Sequence, residues 1–166
     1  MTAAEAPAVP GDPAALPRNR MPGSVLFLCG LNVIRSPIAE QLARRILPPT
    51  VFVASAGVHA GERDPFVDAV LAESNLSLGS RQPRRLEDME DAYFDLIVTL
   101  APEAHHRALE LTRSLAVDVE YWPTPDPTTT TGSREHILAA YRDVRDRLAR
   151  RIVARFGPQL SGQRVE

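Results

Sequence analysis

Apolar and polar positions along the chain alternate between two periods. Short apolar runs rich in strand-forming residues lie at residues 24–28, 51–54 and 95–100, with a weaker one at 117–121. Between them the spacing lengthens and predicts helices at residues 37–47, ended by Pro48 and Pro49, at about 66–75 and at about 102–111. The last helix has the clearest period: Ile137, Tyr141, Val144, Leu148, Ile152 and Phe156 recur every three or four residues, and Gly157 with Pro158 is expected to stop it. Strands alternating with helices predict an α/β fold, a three-layer sandwich in which a four-stranded parallel sheet carries helices on both faces.

Composition sets the limits of that fold. With 166 residues and 44% apolar content, the chain suffices for one domain with a hydrophobic core. Residues 1–23 hold five prolines among alanines and few large apolar side chains, which predicts a flexible tail; residues 24–158 form the expected domain and 159–166 a C-terminal tail. No run approaches the roughly 18 apolar residues of a membrane helix, and no secretory leader pattern opens the chain. The expectation is a soluble, cytoplasmic protein without membrane or nucleic-acid partners, since the net charge is −2. All 19 basic residues are arginine. Their two clusters, Arg81, Arg84 and Arg85 beside an acidic run, and the helical series from Arg142 to Arg155, read as solvated faces. His59, His105, His106 and His136 lack zinc-type spacing and read as surface residues.

The single cysteine changes the picture. It excludes an internal disulfide framework. Cys29 directly follows the first strand, and Pro37 marks the start of the next helix, so residues 29–36 form a strand-to-helix loop at the sheet edge where ligands bind. Backbone N–H groups in such a loop, with the dipole of the following helix, attract a phosphate-sized oxyanion. The same field, with the Ser36 hydroxyl and the Arg35 charge, favours a thiolate.

A lone cysteine after an apolar strand is commonly an inert small hydrophobe, and a bare C-x5-R spacing carries little in a chain with 19 arginines. The surrounding residues carry more. Gly30 permits close approach, Asn32 tolerates left-handed backbone, and Ser36 can donate to sulfur. Together they predict a phosphate-binding loop built on Gly30, Leu31, Asn32, Val33, Ile34, Arg35 and Ser36, with Cys29 as nucleophile.

The run from Cys29 to Pro37, followed by Ala39 and Glu40, resembles the signature loop and helix start of the low-molecular-weight protein tyrosine phosphatases. Ser55-Ala56-Gly57, the strand from Phe94 to Val98, and Asp126-Pro127 are similar to later segments of that family, so the resemblance covers roughly residues 24–156. It implies a phosphatase that cleaves phosphate monoesters, phosphotyrosine or a similar aryl phosphate, of a phosphorylated protein or a small molecule, through a cysteinyl phosphate and with no metal or cofactor. Cys29, Arg35 and Asp126 would be catalytic, and Asn32, Ser36 and Ser55 would support the loop. Asp126 is the implied general acid, flanked by Pro125 and Pro127; Asp64, also before a proline, is the alternative.

The chain departs from the family pattern at several places. Ile34 stands where many members have a second cysteine, Arg81 where a histidine is common, and Gly30-Leu31 reverses a frequent order. Thr128 to Thr131 follow the acid in place of tyrosine, which leaves Tyr121 and Trp122 as candidates for an aromatic wall, although a strand end is more often core. Two rival functions follow: a thiol-dependent arsenate reductase that needs an external thiol or redoxin, and a binding protein for phosphorylated ligands without turnover.

Overall fold

The structure, a computed structural model, describes residues 20–90 and 93–161. The predicted N-terminal tail up to residue 19, and the end of the predicted C-terminal tail from residue 162, lie outside the described residues.

Strands β1 (Ser24–Cys29), β2 (Phe52–Gly57), β3 (Leu96–Thr99) and β4 (Asp118–Tyr121) form one sheet in the order β2-β1-β3-β4, parallel throughout. Helices α1 (Arg35–Ile46), α2 (Pro65–Ala72), α3 (Pro102–Leu111) and α4 (Arg134–Ser161) cover it. Side chains alternate across the pleat of β1. Val25 and Phe27 enter a core with Ile38, Leu42, Val70, Leu148, Ile152 and Phe156 of α1, α2 and α4. Leu26 and Leu28 face the other way, onto Ala104 and Ala108 of α3 with Leu86 and Phe94. The expected three layers are present.

The differences from expectation are local. β2 runs on through Ser55, Ala56 and Gly57, which pair with Phe27, Leu28 and Cys29. Small residues score poorly as strand formers, but pairing with the buried β1 overrides that preference. α1 begins at Arg35, so Pro37 occupies its first turn, where a missing N–H removes no helical bond. α4 does not stop at Gly157-Pro158 but continues to Ser161. A proline there deletes one ladder bond, while Phe156, fully buried, anchors the preceding turn. The residues before β1 are also held: Met21 packs on the core, and Gly23 N–H donates to Asp95 Oδ2 at 2.7 Å.

Among the described residues, no helix is long and apolar enough to cross a membrane. No cluster of three or more His, Cys, Asp or Glu side chains there is placed to hold a metal ion.

Candidate active site

Parallel strands bring Cys29, Gly57 and Thr99 to one edge of the sheet, and the loop from β1 to α1 lies across it. The carbonyls of Cys29, Gly30 and Leu31 accept from Val58, His59 and Gly61 at 3.0, 2.8 and 3.0 Å. In a planar trans peptide the following N–H points the opposite way, so these bonds turn the N–H groups of residues 30–32 away from that segment. Among the described residues, none accepts a hydrogen bond from the N–H groups of residues 30–34. Five adjacent free donors ahead of a helix N-terminus form an anion cradle.

Asn32 sets the curvature with φ of 54°, a left-handed geometry that asparagine tolerates better than most residues. Its side chain uses both donor hydrogens: Nδ2 donates to Ser36 Oγ and to Ser55 Oγ, each at 2.9 Å. Its Oδ1 accepts from Arg84 N–H at 3.1 Å. Ser36 Oγ lies 2.9 Å from Cys29 Sγ and 3.3 Å from the Ala56 carbonyl, to which it can donate. The hydroxyl has one proton, so an anionic sulfur would take it. Cys29 itself is 2% exposed.

Beneath this layer lies a charged one that sequence reasoning missed. Ser55 Oγ accepts from Arg81 at 2.7 Å and donates to Glu40 Oε2 at 3.0 Å, which fills all its hydrogen-bonding capacity. Glu40 is fully buried and pairs with Arg44 at 2.9 Å and with Arg81. Arg84 Nε donates to the Ser55 carbonyl at 2.9 Å. Arg81 and Arg84 therefore do not belong to a solvated face; Arg85 does, paired with Glu87 and Asp88. The signal was available in α1. Ser36, Ala39 and Ala43 are small and share a face with Glu40, and a carboxylate on a small-residue stripe marks a buried charge that needs a partner.

Arg35 donates through Nη1 to the Thr124 carbonyl at 3.1 Å, which ties the β1–α1 loop to the segment that leads into Asp126. Asp126 caps the 3-10 turn Pro127–Thr129, accepting at Oδ1 from Thr128 N–H at 2.9 Å and from Thr128 Oγ1 at 2.6 Å. Partial burial pushes this carboxyl up, but the two Thr128 bonds and the Arg35 charge outweigh it, leaving the pKa below the ordinary carboxylate value.

Asp64, the alternative acid, caps α2 through Phe66 N–H at 2.9 Å and accepts from Tyr141 OH, so a structural role accounts for both its oxygens. Burial, and then the Asp64 bond, push the Tyr141 hydroxyl above its usual range. The aromatic residues upstream of the acid do not form a wall. Trp122 packs edge-on to Phe27 in the core, and Tyr121 stacks on His105 at 4.6 Å. His105 is thus half-buried, bonded through Nδ1 to Thr99 Oγ1 at 3.0 Å, whereas His59, His106 and His136 are exposed as expected. In the α4 series Arg145 also points inward, to Glu73 and the Val70 carbonyl at 2.8 Å each.

A parallel α/β sandwich with a cysteine under an open amide loop, and an arginine at the start of the next helix, defines the framework of a cysteine-dependent phosphatase. The family model for low molecular weight phosphotyrosine protein phosphatase matches residues 24–161, and the chain belongs to that family. It is 33% identical over 128 residues to the low molecular weight protein-tyrosine-phosphatase Wzb of Escherichia coli K12, covering 71% of this chain and 85% of that one. It is 29% identical over 130 residues to an arsenate reductase of Bacillus licheniformis, covering 78% and 91%. The tyrosine phosphatase amsI of Erwinia amylovora superposes with a TM-score of 0.61 at 25% identity, over 81% of this chain and 93% of that structure.

Proposed function

We propose that this phosphatase hydrolyses aryl phosphate monoesters, phosphotyrosine among them, in two in-line steps at Cys29, and does so in the cytoplasm. The observation that carries the reading is the 2.9 Å contact between Cys29 Sγ and Ser36 Oγ at the base of a loop whose N–H groups are unpaired.

In the first step the Cys29 thiolate attacks phosphorus, a P–S bond forms and the P–O bond to the alcohol breaks. The loop amides and the Arg35 guanidinium bind the three equatorial oxygens as charge spreads over them. Asp126 gives its proton to the departing oxygen. In the second step water attacks phosphorus, its proton passes to the Asp126 carboxylate, and the P–S bond breaks with the electron pair returning to sulfur. Ser36 Oγ then donates to the developing thiolate, which lowers its cost as a leaving group. Asn32 and Ser55 act through the loop by holding its curvature.

The rival activity has support in the arsenate reductases among the relatives. Reduction would place the oxidised equivalent on Cys29, and this chain holds no second cysteine to resolve it. An external thiol would have to do so.

One assay separates the readings. Wild type and Cys29→Ser are incubated with p-nitrophenyl phosphate, and in parallel with arsenate plus thiol and a redoxin. Hydrolysis by wild type that is lost in Cys29→Ser is the expected result. Wild-type rates in Cys29→Ser, or arsenate-dependent thiol consumption without ester hydrolysis, would overturn it.

A further inference from the structure

A cavity of about 210 Å³ lies between α4 and the segment from Trp122 to Pro125, and Arg147, Leu148 and Arg151 close its far side. None of the cradle residues, nor Asp126, lines it. The wall it shares with the site is the strand end whose Thr124 carbonyl accepts from Arg35.

Its surface joins two chemistries. Trp122, two prolines and Leu148 supply hydrocarbon, and the single indole N–H is turned away, donating to Glu120 Oε1 at 3.3 Å. The prolines offer no N–H donors. Arg151 holds its guanidinium 5.3 Å from the centroid of the Trp122 ring and has no acidic partner among the described residues. Arg147, one turn earlier on α4, bonds Asp143 through Nε alone at 2.7 Å, so its terminal nitrogens stay available. Residues four apart on a helix share a face, which lets both guanidiniums reach one anion.

We propose that this cavity binds a small organic monocarboxylate carried on a ring-sized apolar body. The volume supports the size, since an apolar cavity of about 150 Å³ accommodates benzene. The charge supports the head group: a planar carboxylate matches the guanidinium fork, with no carboxylate among the described residues competing for Arg151. The ring would lie against Trp122 and Leu148, with the carboxylate at the mouth between the arginines.

Trp122 is the only tryptophan in the chain, so its emission reports this cavity directly. Cyclohexanecarboxylate and the neutral cyclohexylmethanol are titrated into wild type, wild type with its cradle saturated by inorganic phosphate, and the double variant Arg147→Gln/Arg151→Gln, followed by Trp122 emission and by calorimetry. The proposal expects saturable carboxylate binding with a dissociation constant on the order of 1 mM. Binding should persist with phosphate in the cradle and weaken about tenfold or more in the double variant and for the alcohol. No saturable binding, equal binding of the alcohol, or unchanged affinity in the double variant would overturn it. Loss of binding in the presence of saturating phosphate would also overturn it, by placing the carboxylate in the phosphate cradle. None of these results bears on ester hydrolysis at Cys29.

Discussion

The side-chain oxygen of Asn32 accepts the backbone N–H of Arg84 at 3.1 Å, joining the phosphate loop to a segment 52 residues later in the chain. The loop is thus held from outside as well as by its own turns. Asn32→Ala removes three hydrogen bonds and places a less tolerant residue at a φ of 54°. We expect kcat/KM for p-nitrophenyl phosphate to fall about 100-fold, the scale associated with a misplacement of about 1 Å. Urea unfolding should show a loss of about 2–3 kcal/mol. Asn32→Gly relieves the backbone but not the lost bonds, so it should recover stability partly and kcat/KM very little.

Two glycines near the loop should respond oppositely to the same change. A Cβ on Gly57 would lie 2.7 Å from Asn32 N and 2.8 Å from Leu31 C, and closer still to the His59 carbonyl. All three are backbone atoms that cannot move without displacing the cradle, so Gly57→Ala should cost most of the activity and about 2–3 kcal/mol of stability. A Cβ on Gly30 meets only the Glu103 carboxylate end, which can swing into solvent. Gly30→Ala should therefore change stability by less than about 1 kcal/mol. Thermal melts and kinetics of the pair check both expectations.

Much of this architecture was legible in the sequence, and the reasons differ by element. β1, β3 and α3 are buried or amphipathic in a regular period, so Leu26, Ile97 and Ala104 announced their faces. Cys29, Asn32, Arg35 and Ser36 were legible because each has a distinct chemical reason to sit in one loop. The burial of Glu40 had a signal in α1, but its pairing with Arg81 did not, because partners some forty residues apart meet only through the fold, and arginine is so frequent here that any cluster reads as surface. The hydrogen bonds from Thr128 to Asp126 were hidden for a different reason: four consecutive threonines look alike until one of them is placed in a turn.

The buried pair suggests a test by charge removal. Arg81→Met leaves Glu40, fully buried, with Arg44 as its one ionic partner among the described residues and the Ser55 hydroxyl as a donor. Breaking a buried pair costs about 3–5 kcal/mol, and the remaining Arg44 contact with the partial exposure of Arg81 reduces this to about 1–3 kcal/mol. Adding Glu40→Gln to Arg81→Met should restore much of the loss, because the uncompensated charge is then gone. Denaturant unfolding of the single and double variants measures the coupling.

In the proposed mechanism Asp126 is protonated for the first step, yet its surroundings lower its pKa. The acid-dependent limb of kcat/KM should accordingly fall as pH rises through a value below that of a free carboxylate. Thr128→Val deletes the 2.6 Å bond from Oγ1 while keeping the backbone N–H. Its Asp126 pKa should rise, and the limb should move to higher pH. Folding stability follows the same sign: the depressed pKa contributes stability above the unfolded carboxylate value and loses it as pH falls through the folded one. A pH–rate profile of wild type and Thr128→Val checks the direction, and Asp126→Ala should abolish the limb.

The central claim is that phosphorus becomes bonded to the sulfur of Cys29 during turnover. Asp126→Ala removes the base that the proposed second step requires, so the intermediate should accumulate when this variant is mixed with p-nitrophenyl phosphate and quenched in acid. Mass spectrometry of the quenched protein should find one phosphoryl group, on the peptide that holds Cys29, and none in the same variant carrying Cys29→Ala. A phosphoryl group on any other residue, or continued turnover with no covalent adduct, would contradict the account.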